Sequence, residues 1–194
     1  EDSEISRVNR LAAREPVKVS AELLGIVQKS LELSVLSDGA FDITFDSVGK
    51  LYDFRAGVRP DAESIRKNLP DINYRHVLLD PAASTIRFAQ EGTRINLGGI
   101  GKGYSCERVI QLLRKAGVTN ALANAGGDTR LLGDRRGKPW MVGIRDPDDG
   151  QQWVTRLALD NEALSTSGDY ERFFDEEGAR YHHILDPRTG WPST

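Results

Sequence analysis

Residues 182–193 read His182-His183-Ile184-Leu185-Asp186-Pro187-Arg188-Thr189-Gly190-Trp191-Pro192-Ser193. They follow a second polar patch, Ser165-Thr166-Ser167-Gly168-Asp169-Tyr170. Together these stretches concentrate imidazoles, carboxylates, hydroxyls and the turn formers Gly and Pro. That mixture suits a hard cation held against a phosphate ester, because Mg²⁺ prefers oxygen ligands and keeps waters for its substrate. Asp186 and Thr189 flank a turn in which Pro187 fixes φ and Gly190 permits a positive one, so their oxygens can converge. The same residues also fit a plain Asp-Pro turn in which Asp186 caps its own backbone. His182 and His183 are adjacent, so on a strand they face opposite ways. Zinc is disfavoured, since the single Cys106 lies far off and no His pair has ligand spacing.

Gly98-Gly99-Ile100-Gly101-Lys102-Gly103 is the second chemical feature. It stands between a strand-like run and a helical one. Unpaired N–H groups at the helix start, its dipole and the Lys102 charge would make a phosphate cradle. The spacing is neither that of a P-loop nor that of a dinucleotide fingerprint. A glycine turn that merely packs fits the pattern as well. Ala40-Phe41-Asp42 and Asp169-Tyr170 each set an aromatic beside a carboxylate. Such a pair can stack a ring and bond its edge, or be a core aromatic next to a turn acid. Ala125-Gly126-Gly127-Asp128 is open in the same way, as close backbone packing or as a cleft wall. No G-x-S-x-G elbow surrounds Ser165 or Ser167, so serine-hydrolase chemistry has little support.

The elements that must position these residues come from a chain of 194 residues, 39% apolar and 28% charged, an ordinary globular balance. A net charge of −3 argues against nucleic acid as main partner. An anionic ligand must then be held locally. No apolar run approaches the roughly eighteen residues of a membrane span. Ser20 to Ser34 reads as a helix, N-capped by Ser20, with Leu23, Leu24, Val27 and Leu31 at helical spacing and Gly39 as its stop. Residues 40–45 alternate like a short strand. A short helix starts at Pro60–Ile65. Val77–Asp80 and Thr85–Phe88 form a hairpin around Pro81-Ala82-Ala83, with His76 beside it as a structural side chain. Arg94–Leu97 reads as a strand. A helix runs from about Tyr104 to Lys115, with Val109, Leu112 and Leu113 inward and Gly117 at its C-cap. Strands follow at Ala121–Asn124, Thr129–Leu132, Trp140–Ile144, Trp153–Leu159 and Tyr181–Leu185, with a turn at 146–150. The pattern is α+β with a largely antiparallel sheet and flanking helices.

In this order the motifs resemble the ApbE-type flavin transferases, FAD:protein FMN transferases. The matching stretches are Ser3-Glu4-Ile5-Ser6-Arg7-Val8-Asn9, Asp38-Gly39-Ala40-Phe41-Asp42-Ile43-Thr44, Leu97 through Tyr104, Asn124-Ala125-Gly126-Gly127-Asp128, Thr166-Ser167-Gly168-Asp169-Tyr170, and His183 through Gly190. They span nearly the whole chain. The resemblance implies one T-fold-like transferase domain over residues 1–194, lacking N- and C-terminal segments. It implies Mg²⁺-dependent cleavage of FAD at its pyrophosphate, FMN passing to a Thr or Ser of an acceptor flavoprotein and AMP leaving. The implied metal ligands are Gly99, through a backbone oxygen, with Asp186 and Thr189. The implied flavin contacts are Ala40, Phe41, Asp42, Asn96, Lys102 and Leu164. His183 is the implied activator of the acceptor hydroxyl, and Lys102 with Mg²⁺ the neutraliser of phosphate charge. Many members are exported, so a periplasmic location, at the outer face of the inner membrane, is expected, with peripheral attachment through a preceding segment.

The chain departs from the family's pattern in three places. Asn96 stands where an Asp is expected before the glycine loop. Ser105-Cys106-Glu107 replaces a small-small-Asp run. The family's segments ahead of the Ser-Glu-Ile motif and after the Thr-Gly turn lie outside these residues. Three further readings compete: an FAD pyrophosphatase using water, a non-catalytic flavin binder, and an unrelated Mg²⁺ nucleotide hydrolase.

Overall fold

The computed structural model describes residues 3–146, 149, 151–168, 172–176 and 178–193. The chain divides into two compact bodies, Glu1–Gly99 with Glu171–Thr194, and Ile100–Tyr170.

In the first body, helix α1 (Glu4–Leu11) starts on Ser3, whose Oγ accepts the Ser6 N–H at 3.2 Å. The Glu4 carboxylate accepts the Ser20 N–H at 2.7 Å and the Ser20 hydroxyl at 2.6 Å. Those bonds, the hydroxyl's first, hold the Glu4 carboxyl below its usual range. Strand β1 (Val17–Lys18) leads to helix α2 (Ala21–Leu36). Ser20 Oγ caps this helix by accepting the Leu23 N–H at 3.1 Å, as its position before the apolar run predicts. The helix stops at Gly39, where φ is +78° and the N–H reaches Ser34 O at 2.8 Å.

The strand expected at 40–45 is absent. Ile43–Phe45 forms a 3₁₀ turn instead, and helix α3 (Asp46–Gly49) continues it. The cause is Asp42, whose Oδ1 accepts the Thr44 N–H at 2.8 Å. A local side-chain bond of that kind competes with a sheet ladder. Helix α4 (Ala62–Asn68) is capped by Asp61, with the Ser64 N–H on Oδ1 at 2.6 Å. Strands β2 (Val77–Asp80) and β3 (Thr85–Phe88) form the expected hairpin, in a sheet of order β1-β3-β2. Thr93 Oγ1 lies 3.5 Å from His76 Nδ1, in keeping with a structural histidine.

The strand expected at 94–97 is an irregular segment held by side chains. Asn9 clamps the Ile95 backbone, accepting its N–H at 2.8 Å and donating to its carbonyl at 2.9 Å. Ser47 Oγ accepts the Arg94 N–H at 2.9 Å, and Ile43 O accepts the Asn96 N–H at 2.9 Å. These bonds occupy the groups a neighbouring strand would have used.

In the second body, helix α5 (Gly101–Lys115) begins three residues before Tyr104, taking the glycine-lysine run into its first turn. It buries Cys106 and Ile110 against Ala123 and Leu132, with Leu113 packed alongside. Val109 and Leu112 are 45% and 60% exposed, contrary to expectation. Positions 106, 110 and 113 share one helical face, so this spacing sets the phase and turns 109 and 112 outward. Strands β4 (Ala121–Ala125) and β5 (Asp128–Leu132) pair across Gly126-Gly127. Strands β6 (Trp140–Arg145) and β7 (Trp153–Leu159) form a ribbon, and β8 (Ala163–Leu164) adds to β5. The expected turn at 146–150 includes residues 147, 148 and 150, outside the described ones.

The chain then returns to the first body with β9 (Phe173–Glu176) and β10 (Ala179–His182), an antiparallel pair. The strand expected at Tyr181–Leu185 ends at His182, and beyond it Leu185 and Pro192 form an isolated bridge. Every strand pairing among the described residues is antiparallel. The α+β reading therefore holds, with the strands in four small sheets rather than one. Among the described residues no helix is long and apolar enough to cross a membrane.

Candidate functional site

The turn at 186–190 is fastened to the core of the first body. Leu185 is buried with Val48, Tyr52 and Ile65, and Trp191 packs against that cluster. Gly190 has φ +71°, and a Cβ there would meet Ile65 Cγ2 at 2.9 Å and Val48 Cγ1 at 3.2 Å. The glycine is thus required twice, by its conformation and by the apolar wall behind it. Tyr52 donates its hydroxyl to Gly190 O at 3.0 Å. Burial first, then the neighbouring Tyr181, pushes the Tyr52 hydroxyl up to about 12.

Asp186 caps its own turn. Its Oδ1 accepts the Arg188 N–H at 2.9 Å, and its carbonyl accepts the Gly190 N–H at 2.8 Å. Arg188 Nε also reaches Oδ1, at 3.3 Å, but the Arg188 side chain is 74% exposed, so that ion pair is weak. No donor among the described residues reaches Oδ2. Thr189 Oγ1 accepts the Trp191 N–H at 3.2 Å, and a hydroxyl oxygen keeps a second lone pair. The capping and ligand readings are compatible: one carboxylate oxygen holds the turn and the other is open to a cation.

The two histidines differ as their alternation predicts. His182 is buried, lies 2.8 Å from Ser193 O through Nε2, and accepts the Ile184 N–H on Nδ1 at 3.3 Å. Both ring nitrogens serve the fold. His183 is half-buried. Its N–H bonds Arg172 O at 3.2 Å and its Nδ1 lies 3.3 Å from the same carbonyl. A carbonyl only accepts, so Nδ1 is the donor in that contact.

In this body Phe41 meets Gly99, and Ile43, which follows Asp42, accepts the Asn96 N–H on its carbonyl at 2.9 Å. A Cβ on Gly99 would lie 3.2 Å from Phe41 Cε2, so the Phe41 ring rests against the glycine loop. Asn96 Oδ1 accepts the Gly98 N–H at 2.8 Å, tying down the loop's first peptide. Asp42 is 6% exposed, and both its oxygens are occupied. Oδ1 accepts the Thr44 N–H and, at 2.6 Å, the Thr44 hydroxyl; Oδ2 accepts the Tyr74 N–H at 2.8 Å. Its carboxylate therefore holds the turn that presents Phe41.

The second body gathers another set. Ile100, at the N-cap of α5, makes no side-chain cap, so among the described residues no N-cap side chain serves the first-turn N–H groups of this 15-residue helix. Lys102 donates Nζ to Gly126 O at 3.1 Å, and a Cβ on Gly126 would lie 3.1 Å from that nitrogen. A Cβ on Gly127 would lie 3.3 Å from Thr166 Oγ1. Ser165 donates to Asp128 Oδ1 at 2.6 Å. The glycines of the 125–128 motif thus allow close approach of Lys102 and Thr166. Leu164 pairs with Thr129 at the edge of this hairpin. Asp169-Tyr170 lies outside the described residues.

Residues that sequence reasoning did not single out do much of the positioning. Asn9 was legible only as part of a motif, and its clamp on Ile95 depends on a contact 86 residues away. Arg172 acts on His183 through its carbonyl, which any residue carries, so no sequence signal marks it. Among the described residues no group of three or more His, Cys, Asp or Glu side chains could hold a metal. The oxygen donors that the resemblance implies are of mixed kind: the Asp186 carboxylate, the Thr189 hydroxyl and the Gly99 carbonyl. An all-oxygen set with few protein ligands fits Mg²⁺, which keeps waters and substrate oxygens.

The chain belongs to the ApbE family, whose model matches residues 1–194. It is 36% identical over 194 residues to an FAD:protein FMN transferase of Klebsiella pneumoniae (strain 342), covering 98% of this chain and 60% of that protein. A protein of the same description from Treponema pallidum (strain Nichols) is 34% identical over 211 residues, covering 100% and 58%. Among solved structures, the ApbE protein from Thermotoga maritima superposes with a TM-score of 0.93 at 34% identity, over 100% of this chain and 63% of that one. The flavin transferase ApbE from Vibrio cholerae gives 0.85 at 32%, over 100% and 62%. The chain spans about 60% of the length of the curated relatives it matches.

Proposed function

We propose that the protein transfers FMN from FAD to a Thr or Ser hydroxyl of an acceptor flavoprotein, releasing AMP, with Mg²⁺ as cofactor. The observation that carries this reading is the Asp186 turn: a carboxylate pinned through Oδ1, with Oδ2 open, on a segment bolted to the core. Asp186, Thr189 and the Gly99 carbonyl would hold the metal. Mg²⁺ bound there would neutralise charge on the pyrophosphate oxygens. On the family resemblance, Ala40, Phe41, Asn96 and Leu164 would be flavin contacts, Phe41 offering its ring and Asp42 holding its turn. Lys102 and the N-terminus of α5 would receive phosphate oxygens. On the family resemblance, His183 would take the acceptor hydroxyl's proton as that oxygen attacks phosphorus. The bond to AMP then breaks and AMP leaves with the electron pair. We further propose, on family resemblance, that residues 1–194 form one transferase domain. On the same ground the whole protein works outside the inner membrane, attached peripherally through a preceding segment.

The test is to incubate the protein with FAD, MgCl₂ and an acceptor flavoprotein domain, with and without chelator. Covalently yellow acceptor and stoichiometric AMP are expected, both abolished by chelator. Free FMN with uncoloured acceptor would instead establish an FAD pyrophosphatase, and bound FAD without AMP a flavin carrier.

A further inference from the structure

Asp46 lies outside every residue assigned to the site above, yet it touches two residues of the segment that enters the glycine loop. Its Oδ1 accepts Asn96 Nδ2 at 3.1 Å and its Oδ2 accepts Arg94 Nε at 3.1 Å. The Asp46 side chain is 14% exposed, so these charge-assisted bonds are shielded from water. Asn96 in turn accepts the Gly98 N–H on Oδ1 at 2.8 Å. The relay runs carboxylate, amide, glycine peptide. Only an amide serves at its centre, because the residue must donate toward Asp46 and accept from Gly98. A carboxylate at 96 would face the Asp46 carboxylate across the same gap with no proton between them.

We infer that Asp46 is a positioning residue for the glycine loop: it orients the Asn96 amide, which fixes the Gly98 peptide and with it the Gly99 carbonyl. It also explains why this chain carries Asn at 96. The negative charge stands one residue further back, on Asp46, and Asn96 relays its orientation. This inference rests on the proposed flavin site for its meaning but not for its test.

The test compares wild type, Asn96→Asp, Asp46→Ala and the exchange Asp46→Asn/Asn96→Asp, which restores a donor opposite an acceptor. The first readout is hydrogen exchange at the Gly98 amide, which needs no flavin. Both single variants should speed exchange about tenfold, the equivalent of one lost charge-assisted bond, and the exchange variant should recover most of the protection. The second readout is FAD turnover, where the single variants should raise KM for FAD with kcat changed less, again with recovery in the exchange variant. Unchanged Gly98 protection in Asn96→Asp, or an exchange variant no better than that single change, would overturn the assignment. Failure of the flavin reading would show separately, as wild type that neither binds nor cleaves FAD.

Discussion

Two acidic turns of the first body use their carboxylates differently. At Asp42 three protein donors occupy both oxygens, and the residue is 6% exposed. At Asp186 the side-chain bonds converge on Oδ1, and the side chain is 28% exposed. Both turns sit in motifs of the flavin-transferase pattern, where the resemblance implies a flavin contact at Asp42 and a metal ligand at Asp186. The difference separates a residue that shapes a site from one whose oxygen remains available to a ligand. A buried carboxylate with both oxygens bonded to protein donors has little capacity left for a cation, whereas a partly exposed one with an oxygen unbonded has more.

The largest expected effect breaks that comparison on the Asp186 side. Asp186→Ala should lower FMN transfer by about a thousandfold or more, on the order of 4 kcal/mol of transition-state stabilisation. Its thermal unfolding should stay close to wild type, since only an exposed cap is lost. Wild-type turnover by this variant in saturating Mg²⁺ would remove Asp186 from the metal site.

Asp42→Ala should do the reverse. It strands the Thr44 and Tyr74 donors in a buried turn, costing about 3 kcal/mol of stability in denaturant titrations. Transfer by whatever fraction remains folded should fall much less than in Asp186→Ala. Should the variant be stable but unable to bind FAD, Asp42 would be a flavin contact in its own right.

The smallest effect sharpens how the Asp186 turn is held. Tyr52→Phe deletes the bond to Gly190 O and should cost about 1 kcal/mol at neutral pH. The Tyr52 hydroxyl titrates near 12 in the fold and near 10 when unfolded. The folded protein therefore keeps its proton longer, and the stability tied to it is complete below about pH 10 and lost as pH rises toward 12. The gap between wild type and Tyr52→Phe should close across that window. A constant gap would mean the hydroxyl contributes nothing that titrates.

Local signals in the sequence match the structure. Ser20 before its apolar run, Gly39 after it and the Val77–Phe88 hairpin all appear where side-chain chemistry within a few residues places them. The structure departs from the sequence pattern where side chains, near or far along the chain, take the backbone groups a strand would have used. Alternation at 40–45 suggested a strand until Asp42 drew in Thr44 and Tyr74, and Asn9 took the backbone groups of Ile95. Helix α5 was recognised, but its inward face was set by Cys106 and Ile110 rather than Val109 and Leu112. A face is chosen by what packs against it, which a single sequence does not display.

For the candidate site, residue types and order point to the family, the oxygen-rich turn and the opposite facing of His182 and His183, because donor chemistry belongs to side chains. Tertiary structure decided which carboxylate is saturated, which histidine serves the fold, and that Asp46 stands behind Asn96. It also turned Gly190 from a permissive residue into a required one, because Ile65 and Val48 leave no room for a side chain. The physical reason is the same throughout. A polar atom's capacity is written in its residue, but how much of that capacity the fold consumes depends on neighbours brought from far along the chain.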